Sequence, residues 1–186
     1  MNDPDSDEVA TAAEGGSGAG ERASFLSLYG HVYEHSRGIA EAVWDAGLVE
    51  PLGTPEGMRA AMIAMAAAVE AAPRDRQLAL LCAHPDLAGR LAIRGELTSQ
   101  SAAEQAGAGL GNCSTEEFER FTALNEAYKA KFGFPFIMAV TGRSRAAILA
   151  AFERRIAHDE ATEFRTALDE VHMIAFLRAE RAVTGD

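Results

Sequence analysis

The segment EATEFRTALDEVHMIAFLRAERA, residues 160–182, decides the fold of this chain. Its apolar residues recur every three or four positions, which is the spacing of one face of an α-helix. This apolar stripe comprises Phe164, Leu168, Val171, Ile174 and Ala175. The segment therefore predicts a long terminal helix whose stripe is buried against other elements.

Helical spacing extends over most of the remaining chain, and few runs alternate as strands do. We predict an all-α fold: a single-domain compact helical bundle with one extended apolar connector. The connector is the apolar run 134–140, which Thr141-Gly142 ends. Helices are predicted over residues 25–46 (one helix or a pair), from Thr54-Pro55, over 76–83, from Ser101, from the capping box at Ser114, and over 144–157.

Residues 1–22 contain acidic residues and a glycine-rich stretch, so we predict a disordered acidic tail there. The helical domain is then expected over residues 23–183. The row Met58, Met62, Met65 and Val69 has the spacing of a buried helix face and is interpreted as core packing.

Composition, charge and the lengths of apolar runs argue against several classes of protein. A chain of 186 residues with net charge −11 fits one domain and argues against nucleic acid as a partner. Two cysteines are too few for a disulfide framework or a tetrathiolate metal site. The longest apolar run, residues 60–69, is too short for a membrane span, and the start of the chain lacks a secretory pattern. A cytoplasmic protein is expected.

Two arginines interrupt apolar faces. Arg178 follows the stripe of the last helix, and Arg155 lies beside Phe152 and Ile156. Either side chain can extend outward to water, or it can point inward and pair with an anion, because an unpaired buried charge is costly.

His84 stands in the run His84-Pro85-Asp86-Leu87-Ala88, where proline ends an apolar helix. A histidine at such a rigid turn suits acid–base chemistry. Considered alone, it is more simply interpreted as a cap of the last carbonyls of its helix.

Ser101 and Glu104 have the spacing of a capping box, in which Glu104 returns a hydrogen bond to the Ser101 amide. A helix N-terminus is also a place to bind an anion or orient a polar ligand.

The run His31-Val32-Tyr33-Glu34-His35 matches a metalloprotease pattern, but two histidines leave zinc without a third protein ligand. An amphipathic first helix is the preferred interpretation, and no metal site is predicted.

Four separated segments together resemble one family. They are His84-Pro85-Asp86-Leu87-Ala88; Leu97-Thr98 with Ser101-x-x-Glu104-Gln105; Leu124-Asn125-x-x-Tyr128 with Phe132-Gly133-Phe134-Pro135-Phe136; and Ile174-x-x-Leu177-Arg178. In order and spacing they are similar to the OHCU decarboxylases of urate degradation, where OHCU is 2-oxo-4-hydroxy-4-carboxy-5-ureidoimidazoline.

The resemblance implies that His84 is the catalytic acid–base group, with Glu104 opposite it across the substrate. It also implies that Arg178 binds the anionic side of a small substrate. The substrate ring would be lined by Pro85, Ser101, Gln105 and the backbone of Phe136, Ile137, Met138, Ala139 and Val140. Arg155 falls on a further family arginine that we interpret as structural, and His158 stands where asparagine is usual.

The implied reaction is a cofactor-independent decarboxylation that yields (S)-allantoin, because the imine-like ring carbon beside the carboxylate can accept the electrons released with CO2. The family resemblance also suggests a possible homodimer. Two other functions remain open: decarboxylation of a related ureido or imidazoline acid, and a non-enzymatic helical interaction module without a ligand pocket.

Overall fold

The computed structural model describes residues 14–47, 51–87, 98–110 and 113–185, with side chains from residue 18 onward. Within these ranges the regular structure consists of helices, which confirms the predicted all-α fold. They are α1 (Glu14–Tyr29), α2 (Gly38–Asp45), α3 (Pro55–Ala71), α4 (Arg74–Cys82), α5 (Ser99–Gly107), α6 (Thr115–Phe132), α7 (Arg145–Arg155) and α8 (Glu160–Thr184). None of these helices is long and apolar enough to cross a membrane.

The terminal helix α8 is the element around which the others pack. It contacts α1, α3, α4 and α6, so its apolar stripe has neighbours along its length. All five residues of the stripe are buried, as predicted. The methionine row of α3 is buried against the same core, which confirms its interpretation as packing.

The starts of two helices follow the predicted capping chemistry. Thr54 Oγ1 accepts a hydrogen bond from the Gly57 amide at 3.0 Å, with proline at the next position. Ser114 and Glu117 form the reciprocal bonds of a capping box at α6. These bonds satisfy amides that a helix start otherwise leaves without partners.

The cap of helix α5 lies three residues earlier than predicted. Its cap is Thr98, whose Oγ1 accepts a hydrogen bond from the Ser101 amide at 3.3 Å. Ser101 therefore lies in the first turn, and the predicted Ser101–Glu104 capping box is wrong. The carboxylate of Glu104 is engaged elsewhere, as described below.

The chain turns between α1 and α2, so residues 25–46 form the helix pair that was one of the two predicted alternatives. The turn contains His31 and His35, and His35 has a positive φ of 48°. An amphipathic helix over the two histidines is therefore wrong. Helix α1 starts at Glu14, inside the predicted tail. Residues 1–13 lie outside the described residues.

The predicted connector follows α6. Gly133 adopts a left-handed φ of 78° and ends that helix. Residues 134–140 then have no regular structure and are all buried. One side chain each from α7 and α8 holds this segment: Arg155 Nη1 donates to the Ile137 carbonyl, and Glu170 accepts from the Ala139 amide, both at 2.8 Å. The connector is thereby fixed beside α8.

Candidate active site

A cavity lies between the end of α4, helix α5, the connector and α8. The space within its lining, open mouth included, is about 350 Å³. Its lining residues are His84, Pro85, Leu87, Ser101, Glu104, Gln105, Phe136, Ile137, Met138, Val140, Ile174 and Arg178. The structure thus brings together the predicted site residues from four separate parts of the sequence, with one exception.

The exception is Ala139, which does not line the cavity. Its amide donates to Glu170 Oε2, and its carbonyl accepts from Arg143 Nε at 3.0 Å. The amide and the carbonyl of Ala139 are therefore both bonded to side chains outside the cavity. The neighbouring Met138 and Val140 both line the cavity, and within the described residues no hydrogen bond is found for their amides.

The geometry of His84 is compatible with both of its predicted roles. Its Nδ1 donates to the Leu80 carbonyl at 3.0 Å, so the ring does cap its helix. Because a carbonyl can only accept, the proton of the neutral ring lies on Nδ1, and Nε2 remains for the cavity as an acceptor. His84 is 8% exposed, and this burial lowers its pKa. The ring is therefore neutral near pH 7 and presents a base.

The loop after His84 is held by side chains of two helices, α6 and α5. Lys129 Nζ lies 2.8 Å from Asp86 Oδ2, and Asn125 Nδ2 donates to the Leu87 carbonyl at 2.9 Å. Gln105 Nε2 donates to the Asp86 carbonyl at 3.4 Å. These bonds fix the backbone that carries His84 and Pro85, which favours precise placement of the imidazole.

Arg178 points inward and is only 3% exposed, so the interpretation that it extends outward is wrong. Its Nε and Nη2 each lie 2.9 Å from one oxygen of Glu104, in a two-pronged ion pair. Its Nη1 donates to Glu34 Oε2 at 2.6 Å, and Nη2 also contacts Ser101 Oγ at 3.2 Å. One guanidinium therefore serves two carboxylates.

Glu34 is a residue that our sequence reasoning missed as part of the site. Its side chain is 2% exposed and accepts hydrogen bonds from Thr98 and Ser101 as well as from Arg178. Burial alone would raise the pKa of Glu34, but these hydrogen bonds and the positive charge of Arg178 outweigh it and hold the pKa below its usual value. The available signal was a carboxylate directly after the buried Val32 and Tyr33.

Arg181 was also missed, although it follows Arg178 by three positions and so lies on the same side of α8. Its Nη1 is 3.5 Å from Glu104 Oε1, and its Nη2 donates to Thr141 Oγ1 at 2.9 Å. About a third of its side chain is exposed, against 11% for Glu104. Glu104 therefore lies between a buried arginine and a partly exposed one.

Arg155 also points inward but does not border the cavity, so its outward alternative is wrong. It bonds Glu163 Oε1 at 2.5 and 2.9 Å, and its guanidinium lies over the Phe136 ring. His158 Nδ1 contacts the other oxygen of Glu163 at 2.7 Å. Through Arg155 this cluster contacts Phe136 and Ile137 of the connector, which is consistent with a structural role.

Within the described part of the chain, no group of three or more His, Cys, Asp or Glu side chains has an arrangement that could hold a metal ion. His35 Nε2 lies 3.9 Å from Glu34 Oε1 on the turn, with most of its ring exposed. Cys82 and Cys113 are free thiols.

Residues 19–180 match the family model described as OHCU decarboxylase. A Haloferax volcanii protein called 2-oxo-4-hydroxy-4-carboxy-5-ureidoimidazoline decarboxylase is 50% identical over 85% of this chain and 89% of its own length. A crystal structure of (S)-allantoin synthase superposes with a TM-score of 0.65 at 34% identity, covering 87% of this chain and 50% of that one. One of OHCU decarboxylase with (S)-allantoin has a TM-score of 0.62 at 23% identity, covering 82% of this chain and 95% of that one.

Proposed function

The chain belongs to the OHCU decarboxylase family, and we propose that it decarboxylates OHCU to (S)-allantoin in the cavity beside His84. The observation that carries this proposal is the state of His84. A buried, neutral imidazole whose Nδ1 is bonded to a carbonyl leaves Nε2 available to the cavity that His84 lines. The non-enzymatic alternative predicted no ligand pocket.

The chemistry follows from the name of the substrate. Its carboxylate and hydroxyl share C4, and the ureido-bearing C5 is double-bonded to a ring nitrogen. When the C4–carboxylate bond breaks, its electron pair forms C4=C5, and the electrons of the C5=N bond move to the nitrogen. The product then gains a proton on that nitrogen and one on C5, while the 4-hydroxyl loses its proton. The net reaction therefore takes up one proton, and no electron acceptor outside the ring is required.

His84 is suited to the proton transfers at C4 and C5. Its Nε2 can accept the proton of the 4-hydroxyl and return it to C5 from the side of the ring that faces the imidazole. Delivery to one face sets the configuration at C5. Glu104, as the other catalytic residue, would lie across the substrate from His84 and orient its ring and ureido nitrogens.

Other cavity residues would hold the substrate. Pro85 and Phe136 provide apolar contact with the ring, and Ser101 and Gln105 provide polar side chains. Arg178 would hold the carboxylate, and we propose that it keeps this group out of the plane of the ring so that the breaking bond aligns with the π system. We also propose that the enzyme works in the cytoplasm without a cofactor or metal, as a homodimer, on a small anionic substrate and without nucleic acid.

The test generates OHCU in situ from urate and follows the circular dichroism of the product. Spontaneous decay gives racemic allantoin, whereas the enzyme is expected to give the (S) enantiomer. His84→Asn keeps a polar side chain but loses the base, and it should lower kcat by at least about a hundredfold. Normal turnover by His84→Asn would remove His84 from the mechanism. A racemic product at the uncatalysed rate with the unmodified enzyme would reject the function.

A further inference from the structure

Arg178, which would bind the substrate carboxylate, is already paired with carboxylates of the protein. Its planar guanidinium can receive a carboxylate through two parallel N–H groups, and Glu104 already occupies that edge, with both distances at 2.9 Å. Its remaining contacts go to Glu34, to Ser101 and to the Val32 carbonyl. A substrate carboxylate therefore competes for donors that a carboxylate of the protein holds.

The two protein carboxylates are not equivalent in this competition. Glu34 does not border the cavity, and it is fixed by Thr98 and Ser101 as well as by Arg178. Glu104 borders the cavity and is more exposed than Glu34. It accepts hydrogen bonds from the same edge of the Arg178 guanidinium that an incoming carboxylate would use. Of the two, Glu104 is the one that can be displaced.

A second cation stands beside the displaceable carboxylate. Arg181 Nη1 lies 3.5 Å from Glu104 Oε1, too far for a strong hydrogen bond but close enough for a small side-chain rotation to form one. Its other Nη group is tied to Thr141 at the end of the connector. Arg181 is thus anchored next to Glu104 while keeping unused donor capacity.

We propose that the substrate carboxylate replaces Glu104 on Arg178, and that Arg181 is the positioning residue that receives Glu104. This inference rests on the proposed function, because it assumes an anionic substrate in the cavity. The exchange leaves each arginine with a carboxylate, whereas without Arg181 the displaced Glu104 would lie in the cavity beside the substrate's negative charge. Arg181 therefore contributes to selectivity for a carboxylate over a neutral ring of similar shape.

The experiment measures binding of two stable probes by calorimetry. Allantoate carries ureido groups and a carboxylate, and allantoin carries no carboxylate. Glu104→Gln removes the competing charge and should tighten allantoate binding about fivefold relative to allantoin. Arg181→Gln should weaken allantoate binding about fivefold, and Arg181→Lys should recover most of that loss. Arg154→Gln, at an exposed position on α7, is the matched control and should change neither affinity.

The double variant separates exchange from a general effect of charge. If Arg181 acts by receiving Glu104, then Arg181→Gln should cost less than about twofold in allantoate affinity in the Glu104→Gln background. The same fivefold loss in both backgrounds would overturn the proposal, as would weaker allantoate binding by Glu104→Gln. Should allantoate bind too weakly for calorimetry, the same cycle is measured by chemical-shift titration of each variant with allantoate.

The two levels of the proposal fail in different ways. An enzyme that produces (S)-allantoin but shows the same Arg181 effect in both backgrounds retains its function and loses the exchange. An enzyme that produces no (S)-allantoin loses the proposed function, whatever the probes show.

Discussion

Arg178 and Arg155 are both buried arginines on apolar helix faces, each 3% exposed, yet only Arg178 borders the cavity. The difference lies in their acidic partners. Glu163, the partner of Arg155, is fully buried and also bonded to Tyr128 and His158. Glu104, one partner of Arg178, is itself part of the cavity wall. A buried arginine alone therefore does not indicate a binding site. The more informative feature is an acidic partner that borders a cavity, where a ligand can replace it.

Of the variants that test this difference, Glu163→Ala should have the largest effect, which is on stability. Removing this carboxylate leaves Glu170, 3.8 Å from Arg155 Nη1, as the remaining acidic partner of the buried Arg155, and should lower the free energy of unfolding by about 3 kcal/mol. Urea unfolding at pH 7 measures the loss. Glu180→Ala, on the exposed side of the same helix, is the control and should cost less than about 0.5 kcal/mol. Equal losses in the two variants would contradict the structural role assigned to the Arg155 cluster.

Exchanging each arginine for lysine should separate the two roles by activity. Lysine keeps the charge but loses the planar fork, so Arg178→Lys should lower kcat/KM about thirtyfold, through loss of the two-pronged carboxylate site. Arg155→Lys should reduce stability but leave kcat/KM within about threefold for the folded fraction, because its side chain does not reach the cavity. A loss of activity by Arg155→Lys as large as that of Arg178→Lys would show that support of the connector limits catalysis.

Much of the fold follows from local chemistry. The caps at Thr54 and Ser114, the proline after His84 and the stripe of α8 each act over a few residues, so their consequences were predictable. The start of α5 was placed wrongly because Thr98 and Ser101 are both good caps, and a sequence alone does not decide between them.

The site was predictable only in part. His84, Glu104 and Arg178 came from the family resemblance, and the periodicity of α8 by itself left Arg178 undecided. Glu34 could not be assigned, since its role depends on a turn that brings it to residues 64, 67 and 144 positions further along the chain. Contacts at that separation are set by tertiary packing. The position of Ala139 away from the cavity was unpredictable for a related reason, because only the path of the connector determines which of its residues line the cavity.

The smallest predicted effect concerns Glu34, the acidic partner of Arg178 that does not border the cavity. Glutamine at this position keeps the side-chain shape and a carbonyl acceptor but removes the charge, and Glu104 still balances Arg178. Glu34→Gln should therefore cost only about 1–2 kcal/mol of stability near pH 7. Glu180→Gln, which lies exposed on α8, is the control.

The cost of Glu34→Gln should depend on pH in one direction. The pKa of Glu34 is lower in the folded chain than its reference value of 4.5, because its hydrogen bonds and Arg178 outweigh the effect of burial. A carboxylate with a lowered pKa stabilises the fold fully above its unfolded pKa and loses this contribution as pH falls through the folded pKa. The difference in unfolding free energy between the unmodified protein and Glu34→Gln should thus be constant above about pH 6 and shrink below 4.5. A difference that instead grows on acidification would mean that burial, and not Arg178, controls this carboxylate.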